Sequence, residues 1–196
     1  MAVGIVVSDP WVTIEDTEPG GIEVGLVERF AASLDATIEW TEGSEQELFG
    51  AMELGQLDLV IGGIDSENPW SSKIALTHPY LTTQVVIAAP AGTDLPDDIA
   101  GDEIAVEPHT DAAGVLEKTD AEVALVEDVS DWDGLVAVED YLVDDLGLEE
   151  SAVTLIEIDH VMAVRMGENG FMVSLEKFLL EESALVKRLL EERAKP

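Results

Sequence analysis

From residue 3 to residue 61 the chain alternates short apolar runs with amphipathic stretches, and that order leaves few folds open. Residues 3–7 are an apolar run with the mark of a buried strand; Asp9-Pro10 breaks it and Trp11 follows. Pro19-Gly20-Gly21 reads as a turn. Ile22, Leu26, Phe30 and Leu34 recur every fourth residue, so the spacing predicts a helix over 22–34. Residues 37–40 alternate like a strand. Ser44 is placed to cap a second helix, with Glu47 three residues on as its capping-box partner; Leu48, Phe49 and Met52 form its apolar side and Gly55 its end. Residues 57–61 form another buried strand, stopped by Gly62-Gly63. A β-α-β-α-β order means a parallel sheet covered by helices. Ligands of such sheets sit at the carboxyl ends of the strands, which here carry Asp9-Pro10-Trp11 and Gly63-Ile64-Asp65.

A second unit follows. Residues 84–89 are strand-like, and Pro90 and Pro96 bracket a loop. Residues 104–106, 123–126 and 135–138 read as strands. Thr110 or Asp111 is placed to cap a helix running to Lys118. A helix is predicted over 140–146, closed by Gly147, then strands over 153–158 and 161–164 on either side of Asp159-His160. A long helix is expected over 171–193.

Charge narrows the partners. Against 43 Asp and Glu stand 9 Lys and Arg, a formal net charge of −34. Such a surface repels nucleic acid and anionic membrane. The acids are scattered through periodic segments, as on solvated faces of folded elements. Excess acid with few lysines points to a salt-adapted, halophilic protein, in which salt screens the self-repulsion; an acidic protein of an ordinary habitat is the alternative. With no cysteine, disulfides, thiolate metal sites and cysteine nucleophiles are excluded. No stretch approaches the about 20 apolar residues of a membrane span. No leader is visible before the first strand, which leaves a cytoplasmic protein or a chain beginning at a mature N-terminus.

Several strings, in order along nearly the whole chain, resemble the family 3 extracellular solute-binding proteins, the amino-acid-type receptors of ABC importers. Gly21-Ile22-Glu23-Val24 is similar to that family's Gly-Phe-x-Val-Asp helix entry, and Gly55-Gln56-Leu57-Asp58-Leu59-Val60 to its Gly-x-x-Asp turn into a strand. Thr77-His78-Pro79-Tyr80 is similar to its Ser-x-Pro-Tyr. The run from Ile99 through Gly101 to Val106 resembles its Leu-x-Gly-x-x-Val-x-Val, and Val161-Met162-Ala163-Val164-Arg165 its returning strand. The resemblance implies an α/β, two-lobe periplasmic-binding-protein type II fold with two crossover strands. Lobe one would be residues 1–86 plus 165–196 and lobe two 87–164, with the ligand in the interlobe cleft. It also implies an extracellular or periplasmic setting, an ABC-transporter permease as partner besides the small-molecule ligand, no cofactor, no nucleic acid and a monomer.

Two departures stand out. The family's carboxylate-binding Arg would fall at Trp70, where Lys73 is the nearest cation. The family's helix between the strands at 123–126 and 135–138 has no room, so the second lobe is expected to be reduced. The candidate ligand contacts are Asp9, Trp11, Ile64, Asp65 and Trp70 in lobe one, and Thr110, Asp111 (beside His109) and Glu139 in lobe two. Each has a plainer role open to it: core packing for Trp11, a loop cap for Asp65, an N-cap for Thr110, solvated surface for Glu139. Two Trp faces with Asp65 or Glu139 would suit a cation with apolar bulk.

No residues are singled out for catalysis or metal binding: the chain lacks nucleotide-binding glycine loops, a nucleophile elbow and paired-His metal motifs. It is therefore expected not to be an enzyme. A ligand-sensing domain of a larger signalling protein is the first alternative. A dehydratase of the kind this fold hosts for cyclohexadienyl acids is the second, disfavoured because so few Arg are present to hold an anionic substrate.

Overall fold

The computed structural model describes residues 1–108 and 110–193; the side chains of Ser71, Asp111 and Arg193 are outside that description. Two compact units result: Met1–Thr82 with Asp159–Arg193, and Thr83–Ile158.

In the first unit β1 (Ala2–Ile5) lies parallel between β4 (Glu39–Glu42) and β5 (Leu59–Asp65). A small hairpin, β2 (Thr13–Glu15) with β3 (Glu18–Gly20), precedes α1 (Ile22–Ser33). Helix α2 (Glu45–Glu53) begins on the Ser44–Glu47 capping box that the spacing announced. Leu48, Phe49 and Met52 of α2 pack on Leu57, Val60 and Ile64. The last helix, α4 (Asn169–Arg193), buries Leu175, Leu179, Val186 and Leu190, a helical spacing. It sets Phe171 and Phe178 against Phe30 of α1, ring centroids 5.6 and 5.3 Å apart.

A two-residue strand, β6 (Ala75–Leu76), and a ten-residue strand, β7 (Leu81–Pro90), follow. The second unit builds its sheet from β7, β8 (Glu103–Val106), β9 (Glu122–Leu125) and β10 (Leu135–Glu139), in the order β7-β10-β8-β9. Among the described residues its one α-helix is α3 (Asp111–Leu116). One face of the sheet is covered by Ile99, Ala112, Ala113 and Leu116. Where a helix between β9 and β10 would cover the other, a 3-10 turn (Val129–Asp131) brings Val129, with Trp132, onto Val86, Ala105 and Val136. The second lobe is thus reduced, and a turn replaces a helix.

Several elements differ from the sequence reading, the hairpin β2–β3 and the short β6 among them. The helix expected over 140–146 is only a 3-10 turn (Asp140–Leu142). The two strands expected around Asp159-His160 are one, β11 (Leu148–Val164). Residues 62–63 do not stop β5, which runs on to Asp65. Strands β7 and β11 each lie partly in both units, so the chain passes between them twice.

Candidate functional site

The carboxyl ends of β1 and β5 meet in the first unit. After β1 the chain closes a small loop: the Ser8 N–H donates to the Val12 carbonyl at 2.9 Å, and the Val12 N–H to Ser8 at 2.8 Å. Asp9 stands exposed on that loop. Trp11 turns inward and is 6% exposed. Its indole lies 4.0 Å from the His160 ring and meets the Tyr80 ring edge-on at 6.5 Å. It also covers Gly63, where φ is +68° and an added Cβ would strike the indole. Gly63 is therefore glycine for both its backbone and the ring above it.

Beyond Gly63, Ile64 is buried in the core of the unit, so its side chain supports the face from below. Asp65 is half-buried and pairs in register with His160 of β11. Its Oδ1 accepts from the Glu67 N–H at 3.1 Å, the loop cap that the residue type allows. Next to it, the Asp159 carbonyl accepts from the Ser66 N–H, and the Asp159 carboxylate from the Thr82 hydroxyl at 2.6 Å. Asp65 and Asp159 therefore flank His160, Asp9 stands exposed on the loop that carries Trp11, and residues 8–12, 62–66 and 158–160 contain no Lys or Arg. Burial lowers the His160 pKa to about 4 against the opposing charge of Asp159, so the imidazole is neutral near pH 7.

Trp70 lies elsewhere. It sits in a 3-10 turn (Pro69–Ser72) started by Pro69 and capped by Asn68. Its ring packs 6.0 Å from Phe49, and the Lys73 ammonium lies 4.8 Å above it. No ring contact among the described residues joins Trp70 to Trp11. Lys73 is also within 3.5 Å of Glu53; Arg29 pairs with Glu182 at 2.8 Å, and Arg165 with Glu168 at 2.8 Å.

In the second unit Thr110 is the N-cap of α3. Its hydroxyl accepts from the Ala113 N–H at 3.2 Å and donates to the Glu107 carbonyl at 2.8 Å. Glu139 ends β10, half-buried and in register with Val85. His109 and the Asp111 side chain lie outside the described residues. Among the described residues no group of three His, Asp or Glu is placed to hold a metal, and no helix is long and apolar enough to cross a membrane.

Two buried residues of the first unit went unread as site residues. Glu23, fully buried at the start of α1, accepts from the Gly62 and Gly63 N–H groups and from the Tyr80 hydroxyl. Burial pushes its pKa up in spite of those donors. Burial, then the Glu23 charge, push the Tyr80 phenol well above its ordinary value, so it remains a donor. A charged residue between two apolar ones in a first turn, Ile22-Glu23-Val24, was the available signal.

A family model described as bacterial extracellular solute-binding proteins, family 3, matches residues 1–187. No curated protein matches the sequence. Among solved structures, an ancestral cationic amino acid solute-binding protein is similar with a TM-score of 0.78 and 15% identity, over 98% of this chain and 94% of that one. The second substrate-binding domain of a protein assigned as an amino acid ABC transporter in Streptococcus pneumoniae gives 0.72 and 17%, over 98% and 99%. A Wolinella succinogenes protein assigned as the binding component of an ABC transporter, complexed with lysine, gives 0.68 and 14%, over 98% and 94%. The fold is that of type II periplasmic binding proteins, with a reduced second lobe.

Proposed function

We propose, because this chain belongs to family 3 of the bacterial extracellular solute-binding proteins, that it is a receptor that captures a small cationic solute outside the membrane and hands it to an ABC importer. The observation that carries the ligand class is the charge of the β1–β5 face: Asp9, Asp65 and Asp159 around the Trp11–His160 pair, with no Lys or Arg in the segments that build it. Carboxylates next to an aromatic ring favour a cation. The structural relatives described as binding cationic amino acids or lysine support the same class. Trp11 supports the face from beneath, and Asp9 and Asp65 hold the ammonium or guanidinium group. In the second unit the family likeness puts forward Thr110, Asp111 and Glu139. The charge of −34 supports a salty habitat, where the self-repulsion is screened.

The test is a thermal-shift and calorimetric screen with L-arginine, L-lysine, glycine betaine, putrescine and L-glutamate, each at high and low salt. A ligand at about 100 times its Kd stabilises the fold by about 2.7 kcal/mol. The expected hit is cationic and is weakened about tenfold by Asp65→Asn. Binding of L-glutamate in preference to every cation overturns the reading, as does turnover of a bound solute.

A further inference from the structure

Taking a carboxylate out of water costs several kcal/mol unless donors replace the water. Position 23 lies between Ile22 and Val24, both buried, and an apolar side chain there would pack without that cost. What the carboxylate adds is acceptors. Its Oε2 takes the Gly62 N–H at 2.6 Å and the Gly63 N–H at 3.0 Å, and its Oε1 takes the Tyr80 hydroxyl at 2.5 Å. The backbone N–H of the same residue donates to the Trp11 carbonyl at 3.0 Å, and that of Ile22 to Pro10 at 3.1 Å. The first N–H groups of a helix have no partner within it, and here two of them hold the Trp11 turn.

The Gly62-Gly63 segment is a special stretch of backbone. Gly62 and Gly63 have φ of +143° and +68°, backbone that side chains resist. A Cβ on Gly62 would stand 2.5 Å from the Val6 carbonyl oxygen. Left without an acceptor, their two amides would be buried donors with no partner.

We propose that Glu23 is a positioning residue of the ligand face. It holds the Trp11 turn through its backbone and the Gly62-Gly63 end of β5 through its carboxylate, and so sets where Asp9 and Asp65 stand for the solute. This rests on the reading of that face as the ligand face. Tyr80 locks the carboxylate from the side away from the glycines, which fixes which oxygen faces them.

Amide hydrogen exchange followed residue by residue by NMR on the ligand-free protein tests it. Glu23→Asp draws the carboxylate back by one methylene; exchange at Gly62 and Gly63 is expected to rise about tenfold while Phe49 of α2 and Leu179 of α4 stay within about twofold. Glu23→Gln keeps an oxygen for both glycines and is expected to restore their protection. Should Glu23→Asp fail to fold, Tyr80→Phe, which deletes only the phenolic donor, is expected to raise exchange at the same two amides selectively. An equal rise throughout the first unit, or none at Gly62 and Gly63, overturns the proposal, since a purely structural role gives the first and no role gives the second. L-Arginine calorimetry on the wild-type protein tests the ligand class separately: a failure there leaves the exchange result standing.

Discussion

The two units finish their strands differently. In the first, the end of β5 is tied to α1 by the buried Glu23 carboxylate and the loop after β1 by the backbone N–H groups of Ile22 and Glu23, and the rings of Trp11, Tyr80 and His160 pack beside them. In the second, the corresponding polar anchor is a half-buried hydroxyl, Thr110, which caps the six-residue α3 and bonds locally, to Ala113 of that helix and Glu107 just before it. A 3-10 turn covers one face of that sheet where a helix would cover more. The contrast teaches that a strand end meant to hold still is fixed by groups from other elements, whereas a local cap fixes only its own helix. The first unit ties its strand ends to a distant element; the second ties its anchor locally.

The largest expected effect comes from cutting that long-range tie. Glu23→Ala removes the acceptor of three buried donors, and each orphaned group costs about 1–3 kcal/mol, so a loss of about 3 kcal/mol or more is expected in urea denaturation. The loss should appear in the fluorescence of the first unit, which holds Trp11, Trp40 and Trp70, before that of Trp132 in the second.

Acid should pick out the same unit. Above pH 6.5 His160 is neutral folded or unfolded; below it the unfolded imidazole takes a proton, while the buried one waits until about pH 4. The unfolded state therefore binds more protons in that window, and stability falls with falling pH by about 3 kcal/mol before levelling off. His160→Gln should flatten this part of a pH series of urea midpoints. Glu23 acts in the opposite sense: burial raises its pKa above the ordinary 4.5, so its contribution is full below that value and is lost as pH rises through the folded pKa.

Thr110→Ala, the matching cut in the second unit, is expected to cost about 1 kcal/mol, the usual value of an N-cap. A cost as large as that of Glu23→Ala would erase the contrast between the units. The smallest effect belongs to Arg29→Ala. Its partner Glu182 is close at 2.8 Å, but the guanidinium side chain is 56% exposed, and such pairs contribute about 0–1 kcal/mol; thermal melts in low and high salt should barely separate the two proteins.

Periodicity made most of the first unit legible. Ile22, Leu26 and Phe30 are buried along α1, and Ser44 with Glu47 starts α2 as spaced. Those are local signals, fixed by neighbours three or four residues away. The short hairpin β2–β3 was missed because its three-residue strands carry no alternation to read. The loop around Trp70 read as polar, yet its ring rests on Phe49, twenty-one positions earlier in the chain, which no local pattern announces. The family resemblance rested on strings that recur in order, and it was legible because turns and helix entries constrain residue type locally.

By itself, then, the sequence determined the alternation of strands and helices, the helix starts, the acidic surface and the absence of an Arg near the strand ends. Tertiary structure alone decided that Glu23 faces inward to Gly62, Gly63 and Tyr80, that Trp11 covers Gly63 and His160, and that β11 is one strand across Asp159-His160. The physical reason is range. Propensity and capping act over one helical turn, but the partner of a buried polar group is chosen by which distant segment arrives with a matching donor. Glu23 and Gly62 are 39 positions apart, and only the packing of α1 beside β5 brings them within a hydrogen bond.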